Sequence, residues 1–190
     1  MESQYYRTFI GLPLRVDKVF LRARHNLMDA LKEERISWTN PDQYHVTLRF
    51  IGDTELSVIK NIGSALHGGI GVPERIRLET CGLASFGPRK RPRVIWVGFE
   101  ETGFFDLLKL EVDRALELCG IPAVEQPFRA HLTLGRVRNL QNLQSYYITV
   151  EEMNQQFNSS VIFEKLVFFR SIPGSRGPEY QVLEEIKFRL

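Results

Sequence analysis

Residues 44–51 read YHVTLRFI and residues 130–136 read AHLTLGR, two stretches that share the pattern His-x-Thr. Polar and apolar residues that alternate with a period of two predict a strand with one face in a core. A strand over 5–12 and a helical apolar repeat over 16–31 precede the first stretch. A strand over 94–99 and a helical repeat over 104–119 precede the second. A strand, helix, strand unit therefore occurs twice, which indicates duplication of a half-domain.

Further strands and helices surround this repeat. The apolar pattern predicts a helix over 56–66, a short helix over 149–157, and strands over 75–83, 161–170 and 180–188. Many strands mixed with three long helices are typical of an α+β fold with mostly antiparallel sheets. We expect one domain over residues 1–190, with the two repeated units in a pseudo-two-fold arrangement around a shared groove.

The composition is that of an ordinary globular protein. With 190 residues, 43% hydrophobic and 25% charged, the chain is long enough to bury one sizeable core. It contains no run of about 20 apolar residues, as a membrane span requires. The start of the chain does not resemble a secretory signal, so we expect a cytoplasmic monomer that binds no membrane. The two cysteines, Cys81 and Cys119, form no CxxC pair typical of a zinc or redox site.

Positive charge is concentrated in two segments. The net charge of +2 is too small for the whole surface to bind DNA without specificity. However, residues 89–93 read RKRPR, and the stretch 126–150 contains arginines but no acidic residue. We expect positive potential near both segments, although for each cluster alone a solvated loop is an equally good explanation.

Strand geometry assigns the side chains of the first His-x-Thr strand to two faces. One face carries the polar residues His45, Thr47 and Arg49. The other face carries the apolar residues Val46, Leu48 and Phe50, which we expect in the core. The strand thus presents an imidazole and, about 7 Å along, a hydroxyl.

The second strand presents the same pair, because His131 and Thr133 share a face opposite Leu132 and Leu134. Arg136 has the wrong parity for an ideal strand. It reaches the polar face only if the strand twists, bulges or ends at Gly135, where glycine has the backbone freedom to allow this.

Two imidazoles and two hydroxyls across one groove suit chemistry on a phosphodiester. A neutral imidazole takes a proton from water while a protonated one gives a proton to the departing oxygen. Threonine hydroxyls donate to phosphate oxygens, and a guanidinium offsets the charge there, for which Arg49 has the right parity and is expected to bind the phosphate. No metal or cofactor is required. A single His-x-Thr is more often structural, but its repetition favours a function. A metal site is less favoured, because neither motif has a nearby Asp, Glu or Cys at ligand spacing.

These residues resemble the two-histidine phosphoesterases, in particular the LigT type of RNA 2′,3′-cyclic phosphodiesterase. The resemblance rests on residues 45–52 and 131–136, on 86–87 and 92–96, and on the ending with Ser171, Gly177 and Tyr180. It covers nearly the whole chain. The resemblance implies a bilobal fold and metal-independent opening of a 2′,3′-cyclic phosphate at an RNA end, or on a cyclic nucleotide, to leave a 2′-phosphate.

The resemblance also implies a role for each motif residue. His45 would donate the proton to the leaving 3′ oxygen, and His131 would accept the proton of the attacking water; the residues alone do not order the two. Thr47 and Thr133 would hold the phosphate. Arg136 matches a position that is often basic in the family and would contact the phosphate as well.

An RNA end also needs a surface on which its base can stack. Phe9 on the first strand is one candidate and Phe86 another, whereas the parity of Phe50 predicts that it lies in the core. The basic loop 89–93 is expected to form a positively charged rim beside the cleft.

Other readings of the same residues stay open. The substrate is alternatively a 2′,5′-linked oligonucleotide, ADP-ribose cyclic phosphate, or an RNA trimmed from its 3′ end, and the resemblance weakly implies a reverse reaction that joins RNA ends through a 2′,5′ linkage. A different class is a module that binds RNA or nucleotides without turnover. The two titratable imidazoles argue against it, because binding alone does not need them.

Overall fold

The computed structural model describes residues 5–124, 126–174 and 177–189. The strands are β1 (Tyr5–Pro13), β2 (Arg35–Trp38), β3 (His45–Glu55), β4 (Ile76–Phe86), β5 (Val94–Phe99), β6 (Leu132–Asn139), β7 (Ser160–Phe163), β8 (Lys165–Ile172) and β9 (Glu179–Lys187). The α-helices are α1 (Lys18–Ala30), α2 (Leu56–Gly69), α3 (Phe104–Glu117) and α4 (Leu143–Glu152). Within the described ranges, no helix is both long enough and apolar enough to cross a bilayer.

The strands form one antiparallel sheet in the order β7-β4-β5-β6-β3-β1-β8-β9, with β2 paired to β6 as well. Both repeated units have the same form, because β1 pairs with β3 around α1 and β5 pairs with β6 around α3. We call β9-β8-β1-β3 the first lobe and β7-β4-β5-β6, with β2, the second lobe. The predicted α+β fold with duplicated units is confirmed.

The two lobes meet where β3 runs beside β6. The only residues paired between these strands, among those described, are Val46 and Leu132. Both are buried, with exposed fractions of 0% and 1%. The sheet is therefore continuous but barely paired at its centre, and each lobe carries one His-x-Thr strand to this junction.

The helices cover the face of the sheet on which Val46 and Leu132 lie. Helix α1 begins after Asp17, whose carboxylate accepts a hydrogen bond from the Phe20 backbone N–H (2.8 Å), as expected for an N-cap residue. Its apolar stripe is buried in a cluster that contains residues of all four helices. The opposite face of the sheet is left for the polar side chains of the two central strands.

Both central strands contain a β-bulge after the threonine. In β3 the residues on either side of Leu48 oppose neighbouring residues of β1, so Leu48 is the extra residue. In β6 the extra residue is Leu134, opposite β5. One extra residue reverses which face the following side chains occupy. The two strands therefore keep the predicted alternation only as far as Thr47 and Thr133.

Two local predictions need correction. The short helix predicted over 149–157 begins earlier, at Leu143, and α4 ends at Glu152 before a separate 3₁₀ turn over Asn154–Phe157. The helical repeat over 16–31 ends by Ala30, and the following β2 was not predicted. Strand β2 is only four residues long and pairs along β6, so tertiary pairing decides its conformation.

Candidate active site

The two His-x-Thr strands run antiparallel across the junction of the lobes. The pairing of Val46 with Leu132 sets a register in which His45 lies level with Thr133, and Thr47 lies level with His131. All four side chains leave the strands on the face opposite the buried Val46 and Leu132. The arrangement is a local two-fold, in which each imidazole faces the hydroxyl of the other strand.

Each imidazole is oriented by a backbone carbonyl two residues before it. His45 Nδ1 lies 2.8 Å from the Gln43 carbonyl oxygen, and His131 Nδ1 lies 2.8 Å from the Arg129 carbonyl oxygen. A carbonyl oxygen only accepts, so Nδ1–H is the donor in both rings. In the neutral imidazole this leaves the lone pair on Nε2, where it is available to take a proton.

Aromatic rings enclose His45. Its ring centroid lies 5.0 Å from Phe9, 5.2 Å from Tyr180 and 6.2 Å from Phe169. Burial lowers the pKa of His45 below its usual 6.5; the Gln43 carbonyl opposes this, and the charges of His131 and Arg136 lower the pKa further. His45 and His131 are therefore close enough to influence each other electrostatically.

The second lobe encloses His131 in a similar way. Its ring lies 4.8 Å from Phe86 and 5.9 Å from Trp96, both edge to face, and the Arg129 guanidinium lies 4.7 Å above Trp96. Burial lowers the pKa of His131, the Arg129 carbonyl opposes this, and the charges of Arg136 and Arg129 lower it further. Both imidazoles are thus biased toward the neutral form in the absence of a ligand.

The two threonines are half-buried on the same face as the imidazoles. No hydrogen bond joins the hydroxyl of Thr47 or of Thr133 to another residue that the structure describes. Both hydroxyls are therefore free to donate to a ligand between the strands.

The bulges bring Phe50 and Arg136 to the same face. Phe50 lies opposite Phe9 in β1 and is 50% exposed, with the Arg7 guanidinium 5.0 Å from its ring centroid. Arg136 lies opposite Val94 and lowers the pKa of both histidines. The bulge at Leu134 is the irregularity that Arg136 needs to reach the cleft.

Sequence comparisons identify the family. The family model described as LigT like Phosphoesterase matches residues 10–96. A protein of Aeropyrum pernix named RNA 2′,3′-cyclic phosphodiesterase is 35% identical over 147 residues, which cover 77% of this chain and 82% of the relative. The chain belongs to the LigT-like phosphoesterases.

Other similar proteins agree with this assignment. A protein of Aquifex aeolicus, also named RNA 2′,3′-cyclic phosphodiesterase, is 36% identical over 160 residues, 78% of this chain and 79% of that protein. The crystal structure of Escherichia coli LigT complexed with 3′-AMP matches with a TM-score of 0.72 over 98% of this chain and 99% of that chain. At 16% identity this match shows a shared LigT-like fold alone.

In this LigT-like phosphoesterase, Arg49 does not reach the cleft. The residue is 6% exposed, Nη2 donates to the Pro122 carbonyl oxygen at 2.5 Å, and Nε lies 3.8 Å from Asp113 Oδ1. Lys109 Nζ also donates to Asp113. The expectation that Arg49 binds phosphate is wrong, because the bulge at Leu48 turns Arg49 toward α3 on the core side.

Phe9 lies at the site but has no open face for a base. It is 3% exposed, because Phe169 stacks on it with ring centroids 4.9 Å apart and Tyr180 covers its edge at 5.0 Å. The expectation that Phe9 stacks a base is therefore wrong. Phe50, which the parity argument placed in the core, is instead 50% exposed and lies opposite Phe9 in β1.

Sequence reasoning missed the aromatic walls of the LigT-like site. Phe169 and Tyr180 come from β8 and β9, and Trp96 comes from β5. The pattern predicts these strands but not which face meets the cleft, and Trp96 and Tyr180 appear only as residues of the family resemblance. In the part of the chain that the structure describes, no three His, Cys, Asp or Glu side chains come together as a potential metal site.

Proposed function

We propose that this protein hydrolyses 2′,3′-cyclic phosphates at RNA ends and leaves a 2′-phosphate, with no metal. The observation that carries the proposal is the local two-fold: each imidazole has Nδ1 bound to a carbonyl, and each is level with the other strand's hydroxyl. The names of the Aeropyrum and Aquifex relatives support the substrate class.

The reaction needs one neutral and one protonated imidazole. His131 Nε2 takes a proton as the oxygen of water attacks phosphorus. His45 Nε2–H gives a proton to the 3′ oxygen as its bond to phosphorus breaks. The products are a 3′-hydroxyl and a 2′-phosphate, and one water is consumed. A positive charge on His131 lowers the pKa of His45, so the two rings do not readily hold a proton at the same time.

Three groups receive the phosphate. Thr47 and Thr133 donate their hydroxyl hydrogens to the non-bridging oxygens from opposite sides. Arg136 places a positive charge on the same face, where negative charge builds up in the transition state. A bound anion raises the pKa of both imidazoles by offsetting the cationic groups, which restores the protonated form of the acid.

The terminal base stacks on Phe50. This ring is half exposed on the cleft face of β3, five residues after His45. The Arg7 guanidinium on its ring adds a donor and a positive charge beside the sugar. The site therefore has separate contacts for the base and the phosphate of one nucleotide.

The test is a short RNA with a terminal 2′,3′-cyclic phosphate, incubated with the protein in excess chelator. We expect hydrolysis, with all of the product phosphate on the 2′ oxygen, as assigned by ³¹P NMR. A 3′-phosphate product, or activity that is lost in chelator and restored by a divalent ion, would contradict the proposal.

Assays with further substrates, and a binding measurement, distinguish the alternative functions. A greater kcat/KM for a 2′,5′-linked dinucleotide than for the cyclic phosphate would indicate that 2′,5′-linked RNA is the substrate. Joined RNA ends among the products would indicate ligation. Tight binding of the cyclic phosphate with no product at any pH between 5 and 8 would indicate a binding module.

A further inference from the structure

Beside the cleft is a second depression, which we call the basic groove. It has a volume of about 580 Å³ and is lined by the β4–β5 loop, by the end of β6 and by the start of α4. The lining residues with charged side chains are Lys90, Arg91, Arg93, Arg136 and Arg138, and the lining includes no Asp or Glu.

The positive charge of the basic groove is not neutralised from nearby. None of its five cationic side chains forms an ion pair with a carboxylate in the described part of the chain. Arg138 Nε donates to Ser37 Oγ at 3.1 Å, which holds this guanidinium at the groove. Unpaired cations along one concave surface favour a polyanionic ligand.

The loop that forms one wall of the groove is held in shape by its own backbone. Arg91 N–H donates to the Pro88 carbonyl at 2.7 Å, and Arg93 N–H donates to the Phe86 carbonyl at 2.7 Å. Gly87 makes the turn with a φ of +112°, and a Cβ there would lie 3.0 Å from the Arg91 carbonyl oxygen. The basic side chains are thus presented by an ordered turn.

Arg136 belongs to both the cleft and the basic groove. Its charge acts on the two catalytic histidines, and its side chain also lines the groove. Strand β6 runs from the cleft at Thr133, past the bulge at Leu134, to the groove at Arg138. An extended chain bound by its terminal phosphate in the cleft can therefore continue along β6 into the groove.

We infer that the basic groove binds the phosphates of single-stranded RNA on the 5′ side of the cyclic end, so that oligonucleotides are bound better than mononucleotides. This inference rests on the proposed function, which supplies the terminal phosphate. Guanidinium groups bind phosphates through paired hydrogen bonds, and contacts to phosphates do not read base sequence, so the groove selects for chain length.

The test compares two substrates in two triple variants. Lys90→Gln/Arg91→Gln/Arg138→Gln removes three charges from the groove. Arg22→Gln/Lys60→Gln/Lys187→Gln removes three charges from exposed residues of α1, α2 and β9, which do not line it. The substrates are 2′,3′-cyclic CMP and an RNA of about ten nucleotides, within the site size of single-strand binding proteins.

For the groove variant we expect the KM of the oligonucleotide to rise about tenfold with kcat unchanged, while kcat/KM for cyclic CMP changes less than twofold. The slope of log K against log salt for oligonucleotide binding should decrease by about 2, because each lost contact to a single strand is worth about 0.7. The control variant should behave as the wild type in both assays.

Three results overturn the inference: equal kcat/KM of the wild type for both substrates, an unchanged oligonucleotide KM in the groove variant, or an equal rise in the control variant. If the wild type hydrolyses neither substrate, the proposed function fails instead. Anisotropy of a labelled RNA with a 2′-phosphate end then still measures the groove, and affinity that is equal in both variants would overturn it.

Discussion

The lobe of His45 and the lobe of His131 hold their imidazoles identically but differ a few residues further along each strand. In both, a carbonyl binds Nδ1, a hydroxyl follows two residues later, and a bulge comes next. After the bulge the first lobe presents Phe50 and the second presents Arg136. In the proposed function the duplicated parts perform the proton transfers, whereas the divergent parts distinguish the base side of a nucleotide from its phosphate side.

The residues at the start of the two divergent segments differ as well. Arg49 is buried against α3 in the first lobe, and its counterpart Gly135 lies under β2 in the second. A Cβ on Gly135 would lie 2.8 Å from Ile36 Cγ2 and 3.1 Å from Trp38 Cε3. The first lobe therefore fills this position with a side chain, and the second fills it with an added strand.

The largest expected effect tests the shared half of this comparison. His45→Ala and His131→Ala should each lower kcat for 2′,3′-cyclic CMP by about 10²–10⁴-fold, since each removes one proton-transfer group. The matched control is His25→Ala on the exposed side of α1, where the ring contacts Asp29 at 3.2 Å. Normal turnover by either cleft variant would contradict the acid-base role of the substituted histidine.

Arg49→Gln tests the assignment of Arg49 to the core. We expect the free energy of unfolding in urea to fall by about 1–3 kcal/mol, because the Pro122 carbonyl oxygen loses its donor while Asp113 keeps Lys109 as a partner. Arg75→Gln, which breaks an exposed pair with Glu164, should cost about 0–1 kcal/mol. The kcat/KM of folded Arg49→Gln for cyclic CMP should equal that of the wild type. A tenfold loss of kcat/KM would indicate that Arg49 acts in the cleft.

Arg136→Gln should lower kcat/KM by about 10²-fold, as expected when a preorganised charge is removed from a transition state. It should also raise the pKa of both cleft histidines in ¹H NMR titrations, because the Arg136 charge lowers them in the wild type. The control is Arg35→Gln at the start of β2. Unchanged histidine titrations would mean that Arg136 points away from the cleft.

Phe50→Ala tests the contrast between Phe50 in the first lobe and Arg136 in the second. Loss of stacking should raise the KM for cyclic CMP about tenfold and leave kcat unchanged. A base-free substrate, methyl ribofuranoside 2′,3′-cyclic phosphate, should be hydrolysed equally by wild type and variant. If the variant hydrolyses both substrates more slowly by the same factor, Phe50 stabilises the fold and does not contact the base.

The smallest expected effect is the position of the pH optimum of kcat/KM. Burial disfavours both imidazolium ions and lowers the pKa of His45 and of His131 below 6.5. The form with one proton is most abundant between the two pKa values, so the optimum for cyclic CMP should lie below pH 6.5. At higher pH the rate should fall about tenfold per unit. An optimum above pH 7.5 would contradict the lowered values.

The pattern of each central strand predicts the site up to the threonine and no further. His45 and Thr47 share a face because alternate side chains of a strand do so whatever lies around them. Arg49 and Phe50 were assigned to the wrong faces, because a bulge is a property of two paired strands and leaves little trace in either one. The position of Arg136 on the cleft face also results from a bulge. In the amino-acid sequence, only Gly135 beside it indicated an irregular strand.

The amino-acid sequence by itself determined the two strand-helix-strand units, the two imidazole and hydroxyl pairs and the basic loop, because these follow from local periodicity and residue chemistry. Tertiary structure alone decided that β3 and β6 meet at Val46 and Leu132, which makes one site of two distant motifs. It also decided which aromatic rings enclose each histidine and how Arg136 connects the cleft to the basic groove. These features depend on contacts between residues far apart in the chain, and local periodicity carries no information about such pairing.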